Sequence, residues 1–434
     1  MEISNKDFVH LHVHSSHSKF DGLCSAESIA MKAREMGFPA IAVTDHGNVG
    51  SFIKFTKECK STKDKDGKPL KYPPIKPILG SEMYLCRNHL AKSKEEQPEE
   101  RSGNRHIVLF AKNWDGYQNL CSLSQRSFTE GFWYDPRVDF DLLSKHSKGL
   151  ICSTACLGSI VNINLMYDRY EQAKKAASIL KDIFKEDFFL EVMFHGMSAE
   201  RYIIPDIFKL SKELDIPVIA TNDSHFIDKS QSKAQEVLMC MSSSKCIKDP
   251  KHPKLPTEEF YLKSAAEMYK MFKDYPQVIT NTLALANRID DKDISSHLFG
   301  GMRLPKFDIP EQYKTPYDYM KSLSIDGLKK HGWEKSKKHV DELKKELIDV
   351  KVALDNNNYD FSTYFLIVRD IIKFAKDNDI MCGGGRGSGY ASILLRCLGI
   401  TSGVDPLDYD SLIWERFLGF DQKRFTKKSD FFEK

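Results

Sequence analysis

The run Phe8-Val-His-Leu-His-Val-His-Ser15 places three histidines on alternating positions. In a strand, residues i, i+2 and i+4 share a face, so His10, His12 and His14 are expected to point the same way. Imidazole nitrogen is a common ligand for zinc, iron and manganese. Two later clusters, Thr44-Asp-His-Gly47 and Asn222-Asp-Ser-His225, carry the same donor chemistry. The combination predicts a fold that gathers three distant segments around a multinuclear metal site.

From residue 8 to about 285, short β-rich runs alternate with helical patterns. Val9, Leu11 and Val13 alternate as a strand. Ser25 has N-cap chemistry and Gly37 is a helix stop, so a helix is expected over Ala26 to Met36. The apolar run Ala40-Ile-Ala-Val43 reads as a buried strand that delivers His46 just past its end. Pro77-Ile-Leu79 leads likewise to Glu82, Leu150-Ile-Cys152 to Cys156, and Pro217-Val-Ile-Ala220 to Asp223 and His225. His106 instead precedes its strand, Ile107 to Ala111. Parallel barrels build their sites where strands run out into loops, and the repeated strand-helix order favours an α/β barrel-like fold. The polar, aperiodic stretch from Arg87 to Arg105 reads as a surface loop.

A chain of 434 residues exceeds the usual single domain, so two domains are expected. A formal net charge of +3 is too small to imply nucleic-acid binding, which must rest on motifs. Ten cysteines without regular spacing, no Cys-x-x-Cys pair and no apolar N-terminal segment point to a reducing, cytoplasmic compartment without disulfides. No apolar run approaches the about 20 residues of a membrane span, so no membrane partner is expected.

Six segments, His10-Leu-His-Val-His-Ser15, Thr44-Asp-His-Gly47, Gly80-Ser-Glu-Met-Tyr-Leu85, Arg105-His-Ile-Val-Leu-Phe-Ala-Lys-Asn113, Ser153-Thr-Ala-Cys-Leu-Gly-Ser159 and Ala220-Thr-Asn-Asp-Ser-His-Phe226, resemble the PHP (polymerase and histidinol phosphatase) domain. In bacterial C-family replicative DNA polymerases, the family of the DNA polymerase III alpha subunit, that domain stands at the N-terminus. The resemblance continues in order through Phe260-Tyr-Leu-Lys-Ser264, Leu304-Pro-Lys-Phe307, Tyr364-Phe-Leu-Ile-Val368, Gly385-Arg-Gly-Ser388, Leu398-Gly-Ile-Thr401 and Glu415-Arg-Phe-Leu418, which are similar to the family's polymerase core. It implies an α/β fold: a PHP-type distorted β/α barrel over residues 1–285, then an incomplete α+β polymerase palm region over 286–434.

Carried over position by position, the resemblance implies a metal-ligand set of His12, His14, Asp21, His46, Glu82, His106, Cys156, Asp223 and His225, with Asp223 and His225 also catalytic and His10 outside the first set of ligands. Up to three divalent ions, zinc, manganese or iron, would leave positions open for water and a phosphate oxygen. The implied activity is phosphoester hydrolysis, as a 3′ to 5′ exonuclease.

The run Cys382-Gly-Gly-Gly-Arg-Gly-Ser-Gly389 precedes an apolar, helix-like stretch from Tyr390 to Leu398. Glycines allow close backbone approach to an anion, and amides at a helix N-terminus favour negative charge. A glycine-rich turn alone is more often structural. Beside the other segments it resembles the family's nucleotide-triphosphate loop, which implies that Gly387 and Ser388 hold phosphates and Arg386 adds charge. The family pattern departs here at Gly384, usually Pro, and at Gly389-Tyr-Ala-Ser392.

After Glu415-Arg-Phe-Leu418 the family proceeds to a Pro-Asp-x-Asp-x-Asp segment whose aspartates bind the polymerisation metals. Here Asp430 stands alone, and Lys423, Arg424, Lys427 and Lys428 form a basic tail. The expectation is an N-terminal polymerase segment that needs a complementary C-terminal fragment, with magnesium, to extend DNA. The implied partners are primer-template DNA, dNTPs, and a sliding clamp or other replisome proteins. Two alternatives from other classes are a stand-alone PHP phosphatase and a non-catalytic replisome scaffold.

Overall fold

The computed structural model describes residues 4–64, 66–93, 105–300, 304–357, 359–385, 387–409 and 411–414. It divides into two compact units, Met1–Gly300 and Gly301–Lys434. The helix Gln277–Asn287 buries Val278, Ile279, Leu285 and Ala286 in the cores of the first unit. Asp290 N then donates to Lys112 O at 2.7 Å. These contacts hold the chain in the first unit past residue 285.

The first unit is built on one sheet: β1 (Ala40–His46), β2 (Lys76–Leu85), β3 (Arg105–Ala111), β4 (Arg137–Val138), β5 (Leu150–Ser153), β6 (Phe188–Val192) and β7 (Val218–Ala220). Its order is β1-β2-β3-β5-β6-β7, with the short β4 on β2. β3 runs antiparallel to both neighbours and the other pairings are parallel. That reversal accounts for His106, because the start of β3 lies beside the end of β2.

The segment expected as a first strand makes only isolated bridges, His10 with Ile41 and Val13 with Ser224. Its backbone nevertheless closes the sheet. Ala42 N donates to His10 O at 3.0 Å and Thr44 N to Val13 O at 2.8 Å, while His14 N donates to Ser224 O at 2.8 Å. The segment therefore lies between β1 and the chain just beyond β7, curling the sheet into a distorted barrel.

Both faces of the sheet are buried, which explains its continuous apolar runs. Ile41, Val43, Leu79, Leu109, Leu190 and Val218 pack with surrounding helices in one core. Ala40, Ala42, Ile78, Val108, Phe110, Phe189 and Ile219 form the other, together with Leu285. Alternation along a strand puts Glu82 on the face of Ile78, His106 on that of Val108, and Glu191 on that of Phe189. One end of the second core is thus apolar, and the other ends in carboxylates and imidazoles.

The helix Ala26–Met36 forms as its caps predict: Ser25 Oγ accepts from Ser28 N at 3.1 Å, and Gly37 closes it at φ 77°. Part of the polar stretch expected as a loop, residues 94–104, lies outside the described residues.

Among the described residues the second unit is helical, with Pro316–Lys330, Lys337–Asn357, Phe361–Asp377 and Ile393–Cys397 as its α-helices. Met320, Leu347, Val350, Phe365, Leu394 and Trp414 share its core. None of the described helices is long and apolar enough to cross a membrane.

Candidate metal centre

Glu82, 1% exposed near the end of β2, is the hub of the site. Its Oε2 lies 2.9 Å from His46 Nδ1, 3.3 Å from His14 Nε2 and 3.5 Å from His12 Nε2. Its Oε1 lies 2.9 Å from His106 Nδ1 and 3.8 Å from Cys156 Sγ. Register explains the convergence, since His46 pairs directly with Glu82 across β1 and β2.

Two aspartates complete the cluster. Asp223 Oδ1 approaches His14 Nε2 at 3.1 Å and His12 Nε2 at 3.3 Å. Asp21 Oδ2 bridges His46 Nε2 at 3.0 Å and His225 Nε2 at 3.1 Å. All nine residues of the expected ligand set therefore meet at one end of the barrel. Three groups, His14/His46/His225, His12/His14/Glu82 and Glu82/His106/Cys156, each hold their donor atoms within 4.8 Å of one another. The groups overlap, sharing His14 and Glu82.

The donor set fits bound cations on a further observation. His12 Nε2, His14 Nε2, His46 Nδ1 and Asp223 Oδ1 are buried and make no hydrogen bond. Leaving four such atoms unsatisfied is costly, and cations in the cluster would satisfy them. Electrostatics tell the same story. Burial lowers the His46 pKa, but the carboxylates of Glu82 and Asp21 overcome it and raise it to about 10. His225 is raised to about 9 against the same burial by Asp21 and Asp223. Burial pushes the Cys156 thiol up, and the charges of Glu82 and Asp223 push it further. Divalent cations would replace these protons.

His10 departs from the shared-face expectation. Val9 and Leu11 pack in the second core while Val13 packs in the first, so the alternation breaks between Leu11 and His12. His10 turns away, edge-on to Phe8 and Phe38, with Nε2 2.7 Å from Lys263 O. Burial lowers its pKa to about 4, which keeps the ring neutral.

Two supporting carboxylates escaped the sequence reading. Glu191 in β6 accepts from His12 Nδ1 at 2.8 Å, from Ser153 Oγ at 2.6 Å and from Ala155 N at 3.1 Å. It therefore fixes the His12 tautomer and aims Nε2 into the cluster. Asp45 accepts from Ser15 N at 2.7 Å and from Ser18 Oγ at 2.9 Å, and Ser18 Oγ in turn lies 2.9 Å from His14 Nδ1. The only signals were a lone acid inside the apolar run Phe188-Phe-Leu-Glu-Val192 and an acid next to His46.

In the second unit Gly387 and Ser388 are exposed at the start of a 3₁₀ turn, Gly387–Ala391; Arg386 lies outside the described residues. The α-helix begins only at Ile393, and its first amides are already engaged. Glu346 accepts from Ile393 N at 2.9 Å, from Leu394 N at 2.8 Å and from Ser392 Oγ at 2.7 Å. The expected contribution of helix N-terminal amides to anion binding is therefore corrected: the buried carboxyl group of Glu346 occupies them, and only the loop itself is open.

Comparison with known proteins follows this division. The PHP-domain family profile matches residues 10–195, and that of the bacterial DNA polymerase III alpha NTPase domain matches residues 318–426. The DNA polymerase III subunit alpha of Borreliella burgdorferi is 39% identical over 95% of this chain and 34% of its own length. The corresponding subunits are 38% identical in Campylobacter jejuni, over 95% and 34%, and 36% identical in Treponema pallidum, over 96% and 34%. The chain spans about a third of the length of these relatives.

Proposed function

As a polypeptide that matches the N-terminal PHP and NTPase domains of bacterial DNA polymerase III alpha subunits along about 95% of its length, this chain is, we propose, a replicative-polymerase segment whose PHP domain hydrolyses phosphodiesters at DNA 3′ ends. The observation that carries this reading is the cluster of nine convergent donors with four buried, unsatisfied atoms among them.

His12, His14, Glu82, His46, His106, Cys156, Asp21, Asp223 and His225 would hold the ions, and the Cys156 sulfur favours zinc or iron over magnesium. Bound divalent cations supply a nucleophilic hydroxide at neutral pH and neutralise phosphate charge. Asp223 acts as the catalytic carboxylate that orients the attacking water. Burial raises its pKa, but His12 and His225 overcome this and keep it ionised. His225 braces the backbone of Asp223, because its Nδ1 lies 2.8 Å from the Asp223 carbonyl oxygen while Nε2 faces the Asp21 carboxylate.

In the second unit Arg386, Gly387 and Ser388 take the phosphates of a dNTP. Primer extension requires magnesium and the polypeptide that corresponds to the remainder of the relatives; primer-template DNA, a sliding clamp and other replisome proteins are the proposed partners. The test compares 3′-labelled primed DNA with small phosphomonoesters as substrates. The proposal expects metal-dependent nucleotide release from DNA and little phosphomonoester hydrolysis, both absent when His12→Ala and His14→Ala strip the metal. Preference for phosphomonoesters would support a small-molecule phosphatase instead.

A further inference from the structure

Four aromatic residues, Phe128, Phe132, Trp133 and Tyr134, fall within seven positions at the end of the helix Trp114–Thr129 and in the loop before β4. They are not core residues: Phe128, Phe132 and Tyr134 are 50%, 49% and 78% exposed. The rings are arranged in pairs. Phe128 stacks on Phe132 with centroids 6.2 Å apart, and Trp133 meets Tyr134 edge-on at 5.1 Å. Tyr134 sits at φ 62°, a conformation that costs energy for a bulky residue and is concentrated at functional sites.

The loop is held firmly although its rings face solvent. Arg137, 2% exposed, donates through Nε to Gly131 O at 3.0 Å and through Nη2 to Ala91 O at 2.5 Å. Lys92 Nζ donates to Phe132 O at 2.9 Å. A Cβ on Gly131 would come within 2.1 Å of Arg137 O, so the turn has room only for glycine.

Its position is the informative part. Arg137 pairs with Tyr84 in the sheet, and Tyr84 pairs with His106 on its other side. The Tyr84 ring lies 5.3 Å from that of His106 and 5.7 Å from that of His46. Pro136 packs so tightly on the residue after His46 that a Cβ on Gly47 would fall 2.6 Å from its Cγ. The aromatic loop therefore leads directly into Pro136 and Arg137, which border the metal centre.

We propose that this loop is a base-stacking platform that holds the unpaired terminal nucleotides of a single DNA strand while its phosphodiester enters the metal centre. The inference rests on the phosphodiesterase reading of that centre. A phosphodiester that reaches the ions carries its bases beside it, and rigid rings on the adjoining loop match their flat faces. Stacking on aromatic rings is tolerant of sequence and gains free energy for each base held. A platform of this kind suits an enzyme that must accept any terminal base.

The test is binding, so it stands apart from catalysis. The 434-residue chain with manganese is titrated into a fluorescein-labelled, phosphorothioate-linked oligothymidylate of about eight nucleotides, and into an abasic strand of equal length. Trp133→Ala with Tyr134→Ala should weaken oligothymidylate binding on the order of tenfold or more, with metal content and melting temperature retained. Trp133→Phe should bind close to wild type, and Phe132→Ala should weaken binding in the same direction as the double variant. The abasic strand should bind wild type less tightly and lose nothing in the variants. Equal affinity of wild type and double variant for oligothymidylate would overturn the proposal. So would equal affinity of wild type for the two strands, or binding of neither, which would leave the rings as a protein-docking face. Base-dependent binding by a protein that hydrolyses no DNA would overturn the phosphodiesterase reading and keep the platform.

Discussion

Glu191 accepts a hydrogen bond from His12 Nδ1 at 2.8 Å, and that bond leaves His12 Nε2 3.3 Å from Asp223 Oδ1. A carboxylate behind a ligating imidazole fixes its orientation and raises its basicity. Glu191→Gln keeps the shape and removes the charge. Metal affinity should fall by about 10- to 100-fold, measured by competition with a chromophoric chelator, while the far-ultraviolet circular dichroism is unchanged. Unaltered affinity would remove Glu191 from the support of the site.

The second unit should be sensitive to pH through Glu346. Burial pushes this carboxyl up to about 8, against hydrogen bonds from Ser392, Leu394 and Ile393. In the unfolded chain the group titrates in the ordinary glutamate range, so the folded state retains a proton that the unfolded state has released. The stabilisation is fully present below the unfolded pKa, declines as pH rises above it, and is lost through about pH 8. Melting of the second unit should therefore move to lower temperature between pH 5 and 9, and Glu346→Gln should flatten that dependence. Parallel melting profiles for wild type and variant would contradict the assignment.

The glycine-rich loop invites a separate measurement. A side chain on Gly387 meets no atom within 4 Å, but the backbone stands at φ 58°, where a β-branched residue is strained. Ser388 offers an exposed hydroxyl, and a hydrogen bond to a charged oxygen is worth about 1.5 to 3 kcal/mol. In the presence of the polypeptide that corresponds to the remainder of the relatives, Gly387→Val and Ser388→Ala should each raise the apparent KM for dNTP or lower turnover, by about tenfold or more for the serine. Metal content in the first unit should not change. Normal polymerisation by both variants would reduce the loop to a structural turn.

What the sequence disclosed, and what it hid, follows from the physics of each element. The strand ending at His46 was readable because an apolar run, Ala40-Ile-Ala-Val43, empties into a polar cluster, and the helix Ala26–Met36 because both of its caps are chemically distinctive. The reversal of β3 was invisible, since alternation of apolar residues carries no direction. His10 misled because period-2 reasoning assumes a regular strand, whereas residues 9–14 are held by bridges that break the alternation. Glu191 and Glu346 were missed for a common reason. A single acid in an apolar strand or a charged helix has no spacing signature, and its importance appears only when burial removes every partner but the ones it serves.

The central claim is that the convergent donors form a metal-dependent centre that cleaves DNA, and one comparison tests it most directly. Wild type and Asp223→Asn are purified in parallel, their metal content is measured, and release of nucleotides from a 3′-labelled strand is followed with manganese and with chelator. The account predicts up to three ions per wild-type chain, hydrolysis that chelator abolishes, and a loss of about 100-fold or more in Asp223→Asn, the scale on which metal-site electrostatic stabilisation operates. Metal-loaded wild type that releases no nucleotide, or Asp223→Asn that cleaves at the wild-type rate, would contradict it.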